Sequence, residues 1–465
     1  MIKPFLSYIL QVILLEQLNT QRFEMKIKHL VLKPLILAAL SLLVEMLPMA
    51  ASHNGNRIFF FLDRPQQTSS KKHAYLEPAL FYAMSSTAFN NKGQTRSIPE
   101  FWGTYNLKDI TASLTANDPT KDPFAGSPQM AYFKDKDIVF KLNDKTQAAG
   151  LALGGAYKIK SFPSWQIGAW APVATVKSSC DFHLDRKNSD AEFKNTSLTD
   201  AQKFNQEVLV DQLRRTTHEM LKIENNEWSK TGIGDIDVFL RMGFAWDHAL
   251  LMRSITFDIQ GGLLLPTGLK DTVKNPFSAP LGSNDHLGFY EDIHLKLELK
   301  QDITTGFLLG FAAWQKDTET KHIPVDKESF LFSPLTGKVD VKPGALFKFS
   351  PYITLGNLTD GLNFTARYTY LRKTSEKWTN PKNLTDTSAM AQKVSAILEH
   401  GIPSVREGSR WRIHYFTFEL TYDTMQALHK PIKFDPTFFV SYDMPMTGRG
   451  VAKTHQITVG AELNF

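Results

Sequence analysis

The chain has one cysteine, Cys180, in 465 residues, which excludes an intrachain disulfide and any metal site built on several thiolates. It also lies too far downstream to act as a lipoprotein anchor. Beyond residue 52 there is no long apolar run, so the sequence offers no bundle of transmembrane helices. Charge of one sign is scarce too. The formal net charge is +6, and the basic residues are scattered, without the aromatic-plus-basic patch that nucleic acid requires. His183, His248, His286 and His455 lack metal-ligand spacing, and Gly232 to Gly234 open a strand rather than a helix. Neither a metal, a phosphate loop nor any other cofactor is therefore indicated.

What is present begins at the ends. Met25-Lys26-Ile27-Lys28-His29 is a basic segment, followed by an apolar run from Leu35 to Val44 and the small residues Ala50, Ala51 and Ser52. That order predicts a secretory signal peptide cut after Ala51 or Ser52, with a mature chain beginning near His53. Residues 1–24 carry a second apolar run, Phe5 to Leu15, which falls short of the roughly 20 residues a bilayer span needs. They read as an upstream extension, so residues 1–52 form extension plus signal and 53–465 the working domain.

At the other end, His455, Ile457, Val459, Ala461, Leu463 and Phe465 alternate with Gln456, Thr458, Gly460, Glu462 and Asn464. A strand sends successive side chains to opposite faces, so this segment has one apolar and one hydrophilic face. A soluble sandwich would explain one such strand. It does not explain the recurrence. Ile236, Val238, Leu240, Met242 and Phe244 oppose Asp235, Asp237, Phe239, Arg241 and Gly243. Ile255, Phe257 and Ile259 oppose Thr256, Asp258 and Gln260, and Ile293, Leu295, Leu297 and Leu299 oppose His294, Lys296, Glu298 and Lys300. The same rhythm runs through Phe347 to Ile353, Leu362 to Tyr370, Phe416 to Tyr422 and Phe438 to Tyr442.

Connections between these segments sort into short ones, such as 160–164, 301–304 and 356–361, and long ones: 85–149, 177–234, 266–290, 315–344 and 373–410. The two kinds take turns, as in an all-β, up-and-down antiparallel barrel of the bacterial outer membrane, with short periplasmic turns and long extracellular loops. The count is about twelve strands, or fourteen if 85–149 hides two more near Ile138 to Leu142. Interfacial aromatic girdles are assigned to Tyr290, Trp314 and Trp411 outside and to Trp165, Trp246 and Phe465 inside. The loop 177–234 has helical spacing over Thr199 to Asn225 behind the capping pattern Ser197-Leu198-Thr199-Asp200.

Gly232-Ile233-Gly234-Asp235 opens one strand, and the next ends Gly261-Gly262-Leu263-Leu264-Leu265-Pro266-Thr267-Gly268, followed by Leu281-Gly282-Ser283. With Glu77-Pro78 and Gly168-Ala169-Trp170-Ala171-Pro172, this arrangement resembles the outer-membrane channel family named for the meta-pathway of phenol degradation, which is similar to the fatty-acid and toluene transport barrels. The resemblance covers roughly Leu76 to Phe311. It implies a channel for small solutes, hydrophobic or aromatic ones included. The helical stretch Thr199 to Asn225 departs from the family pattern.

On strand parity the residues facing away from lipid are Asp235, Asp237, Arg241, Asp258, Lys296, Glu298, Lys300, Lys348, Arg367 and Glu462. Mixed charges inside a barrel mean a hydrated interior that selects solutes by size and charge. Phe465 is the expected assembly signal, read by the barrel-insertion machinery. Two other classes compete: a plugged structural or adhesive barrel whose loops bind a surface, and an outer-membrane enzyme, for which no nucleophile stands at the level of His294. The expected partners are outer-membrane lipid, that machinery and a small-molecule solute, with no nucleic acid; the oligomeric state stays open.

Overall fold

A strand crossing lipid must satisfy every backbone group, and a ring of strands is the sheet that leaves no edge to do so. The computed structural model of the chain describes residues 56–59, 61, 73–102, 105–109, 137–162, 164–185, 187–189, 215, 227–248, 252–275, 277–322, 336–379, 405, 408–428 and 435–465. All belong to one compact unit, Met49–Phe465. Twelve antiparallel strands close into a barrel: β1 Ala74–Ser85, β2 Val139–Lys158, β3 Trp165–Leu184, β4 Ile236–Asp247, β5 Ser254–Leu265, β6 Gly288–Lys300, β7 Ile303–Trp314, β8 Leu346–Thr359, β9 Leu362–Lys373, β10 Trp411–Asp423, β11 Asp435–Arg449 and β12 His455–Asn464. Each pairs with its neighbour in sequence. The ring closes where β1 meets β12, from Tyr75 opposite Asn464 to Met84 opposite His455.

The fourteen-strand alternative fails because the stretch near Ile138 to Leu142 is the outer end of β2, not a separate strand. The short strands Ala88–Phe89, Thr95–Arg96 and Tyr105–Asn106 belong to the loops above the barrel. Asp317–His322, Thr336–Lys342 and Lys377–Thr379 form another small sheet there. The alternation of long and short connections breaks once, since only residues 450–454 join β11 to β12 on the outer side. At the inner side, 424–434 holds a short helix, Thr424–Leu428. The helix expected over Thr199 to Asn225 lies outside the described residues, Arg215 apart.

Alternation becomes two surfaces. Leu80, Ile167, Phe438 and Val459 stand outward and at least half exposed, as a lipid belt demands. This belt, around a closed ring with a charged interior, places the protein in the bacterial outer membrane. Tyr157, Trp246, Tyr422 and Phe465 are exposed at the inner rim, and Tyr82 and Tyr442 towards the outer one. Tyr290, Trp314 and Trp411 are not girdle residues. All three are buried on the inward rows, because they occupy the parity of the polar side chains.

Two glycines show how the wall is shaped. Gly361, in the turn from β8 to β9, has φ +79°, and a Cβ there would come within 2.4 Å of the Asp423 carbonyl oxygen. Gly262 leaves the space that the Tyr290 ring fills, since a Cβ would meet that ring at 2.4 Å. On β1 to β3 the inward row is rich in alanine: Ala79, Ala83, Ala148, Ala152 and Ala174 are all buried.

Candidate functional site in the barrel lumen

Those alanines make room for the chain's own N-terminal arm. Ile58, Phe59 and Phe61 are buried in the same cluster as Ala83, Ala148, Ala152 and Ala174. The Phe61 ring stands edge-on to Phe81 at 4.9 Å and to Trp170 at 5.2 Å. The arm is fastened at the outer mouth. The Asn56 amide donates to the Pro280 carbonyl at 3.0 Å, while its Oδ1 accepts from the Ile58 and Phe59 amides at 2.8 Å each. Arg57 donates to the Gly408 and Ser409 carbonyls, both at 2.9 Å. The Ala452 amide donates to the Arg57 carbonyl at 3.0 Å, and the Thr454 hydroxyl to that of Ile58. At the inner rim the His73 and Ala74 amides donate to the Phe465 carbonyl, at 2.9 and 3.4 Å.

Charged side chains surround the top of the arm. Lys373 lies 3.5 Å from Glu376 and above the Trp314 ring, and Trp378 donates to Glu376 at 3.2 Å. Burial acts to raise the Glu376 carboxyl, but Lys373, Arg57 and Lys321 outweigh it and hold the group below its ordinary value. Lys321 bridges Glu319 at 2.6 Å and Asp271 at 3.0 Å, and His286 meets Glu319 at 2.6 Å.

Below Phe61 the inward rows carry a polar network. Asp237 accepts from the Tyr290 hydroxyl at 2.7 Å; that hydroxyl accepts from Gln260 at 2.6 Å, and Gln260 accepts from Arg241 Nε at 3.0 Å. His294 joins Asp258, 3.4 Å from Nδ1, to the Tyr352 hydroxyl, 2.7 Å from Nε2. Lys348, buried, lies 3.2 Å from Asp292. Arg367 lies 3.9 Å from Asp443, which also accepts from Thr417 at 2.6 Å. Between arm and network is a cavity of ≈140 Å³.

The residues expected from parity fall in three places. Asp237, Arg241, Asp258, Lys348 and Arg367 stand in the network at mid-height. Lys296, Glu298, Lys300 and Glu462 lie nearer the periplasm. Glu298 there meets Arg253 at 3.2 Å and Ser254 at 3.0 Å, Lys300 is exposed at the turn, and Glu462 accepts from Asn464 at 3.1 Å. Asp235 does a different job. It sits at the outer break between the strand Glu227–Ile233 and β4, where its carboxylate accepts from the Gly268 amide at 3.1 Å and the Ser283 amide at 2.6 Å. It ties down the loop from β5 to β6, because Gly268 and Ser283 are both in that loop.

Sequence reasoning missed Tyr290, Asp292, Tyr352 and Asp443, which occupy the same parity. It also missed the arm. A signal existed for it: the run Ile58-Phe59-Phe60-Phe61-Leu62 directly after the expected cleavage point, facing alanine-rich inward rows on three strands.

No family model matches the chain, and no curated protein does. Among solved structures it is similar to an outer membrane channel from Pseudomonas putida F1, at 10% identity and TM-score 0.43, covering 87% of this chain and 100% of that one. A FadL homologue from Pseudomonas aeruginosa is similar at 8% identity and TM-score 0.28, over 90% and 99% of the two chains. The CymD monoaromatic hydrocarbon channel matches at 8% identity and TM-score 0.28, over 84% and 88%.

Proposed function

We propose that this outer-membrane barrel is a channel for the passive uptake of small solutes, with the N-terminal arm as its constriction. One observation carries the reading: below the arm the interior leaves a cavity bordered by charged side chains, the kind of lining that selects solutes by size and charge. Hydrophobic or aromatic solutes fit the aromatic rings that border the same cavity, Phe61, Tyr75, Phe81, Trp170 and Phe239. Cleavage near Ser52 suits this role, since the mature chain would start only a few residues before Asn56 at the outer mouth. Mass spectrometry of the mature N-terminus tests that point, and retention of residues 1–52 would refute it. The expected inward rows, from Asp237 to Glu462, would set the charge preference of the pore.

The arm favours one second reading, a plugged barrel that acts through its outer loops. Single-channel recording of the purified mature protein in planar bilayers separates the two. Ohmic current steps support the channel. A folded barrel that passes no current, with or without residues 53–61, overturns it in favour of the plug.

A further inference from the structure

Three arginines stand side by side on the lipid-facing wall. Arg372 on β9 is directly opposite Arg412 on β10, and Arg412 is directly opposite Arg449 on β11. All three are exposed, and Arg372 and Arg412 belong to the outward rows of Phe364 and Phe416, away from the lumen. Arg449 joins them through an irregularity. By the parity of Ser441 and Asp443 it would point inwards, but β11 has one extra residue, Met446, where the register shifts, and Arg449 comes out on the face of Arg412. A bulge is a device for re-aiming a side chain. Here it completes a row of like charges with Cβ atoms about 5 Å apart, a pairing that destabilises a sheet left to itself. None of the three guanidiniums forms an ion pair among the described residues.

Height places the row at the outer interface. Arg412 is ten residues along β10 from Tyr422, which is exposed at the inner rim. At ~3.4 Å per residue and a tilt of about 40°, the separation is ~26 Å along the membrane normal, against an apolar band about 25 Å tall. The same tilt displaces the row by only about 3 Å per strand. Beneath the arginines the wall changes character in steps. Tyr370, His414 and Thr447 oppose one another in the next outward row, offering hydroxyl, imidazole and hydroxyl groups. Tyr368, Phe416 and Met444 follow, and then Ala366, Phe418 and Tyr442. Charge, hydrogen-bonding groups and mostly apolar surface therefore succeed one another from water into lipid.

We propose that this wall of β9, β10 and β11 binds a phosphorylated glycolipid of the outer leaflet. Its phosphates lie on Arg372, Arg412 and Arg449, since a guanidinium offers a planar fork of donors to two phosphate oxygens at once. The sugar meets Tyr370, His414 and Thr447, and the acyl chains cover Phe416, Met444 and the rows below. An anion shared among neighbouring guanidiniums also relieves their mutual repulsion. The site lies outside the barrel and is independent of whether the lumen conducts.

The test is native mass spectrometry of the mature, full-length protein in neutral detergent, titrated with bis-phosphorylated lipid A, dephosphorylated lipid A and phosphatidylglycerol. The bis-phosphorylated form is expected to bind at least about tenfold more tightly than either of the others. Each basic residue near an anionic lipid surface is worth roughly a fivefold factor, so Arg372→Gln, Arg412→Gln and Arg449→Gln together should weaken it about a hundredfold. Lysine at all three positions should restore part of that loss, because charge returns without the fork. Folding is checked by heat-modifiable mobility; if the triple variant does not fold, Arg412→Gln alone and the ranking of lipids on the natural protein decide. Equal binding of phosphorylated and dephosphorylated lipid A, or a folded triple variant that binds like the natural protein, overturns the proposal. So does equal binding of phosphatidylglycerol, which has a phosphate but no sugar, or displacement of the lipid by excess inorganic phosphate, which would make the row a site for free anions.

Discussion

Truncating one ring should release the arm. Phe61 is 7% exposed, and its ring has two edge-on partners, at 4.9 and 5.2 Å. Replacing a buried phenylalanine with alanine costs about 3–5 kcal/mol, of which each aromatic pair supplies ~0.5–1.5. Phe61 belongs to the arm and not to the wall, so the loss falls on docking of the arm, while the twelve paired strands stay closed. At about 1.4 kcal/mol per decade, Phe61→Ala shifts the ratio of docked to released arm by roughly a hundredfold or more. Planar-bilayer recording should then show longer and larger openings, and deletion of residues 53–61 should show the same without further gating. Heat-modifiable mobility should not change. Identical current and open time in natural protein, Phe61→Ala and the deletion would refute the constriction.

Three further outcomes follow from particular contacts. The Glu376 carboxyl is held below its ordinary value of 4.5, so it favours the docked arm at every pH above that value and loses this effect as the pH falls through the depressed pKa; conductance should be flat from neutral pH to about 4.5 and rise only below it. A rise between neutral pH and 4.5 would assign the gate to another group. Lys348→Met leaves Asp292 without that cation in a buried wall and should cost about 3–5 kcal/mol, seen as a lower temperature of barrel unfolding, with Lys348→Met/Asp292→Leu recovering most of it. If the double variant is as unstable as the single one, the pair is not what holds that wall. Deleting Phe465 should reduce heat-modifiable barrel in the outer membrane, since it removes a ring exposed at the inner rim beside the seam of β1 and β12; unchanged assembly would make it an ordinary interfacial residue.

The sequence alone determined the barrel, because period-two alternation is local and survives whatever each strand packs against. His294, Lys296 and Glu298 share a face by backbone geometry alone, and the turn-forming run at 356–361 joins β8 to β9 by chemistry written in those residues. Parity also put Asp237, Asp258, Lys348 and Arg367 on rows that avoid lipid. It was silent on partners, since the interior is built across chords of the ring. Asp443 meets Arg367 from a strand two places away, and Tyr290 reaches Asp237 over β5. Parity misled at Trp314 and Trp411, because an aromatic residue at a strand end reads as a girdle whichever face it takes. Only tertiary structure put the arm in the lumen. Its anchors, such as Thr454 on the Ile58 carbonyl, join residues 396 positions apart, and the fit depends on alanines from three strands meeting on one wall. A local pattern fixes which way a side chain points; closure of the ring decides what it meets there.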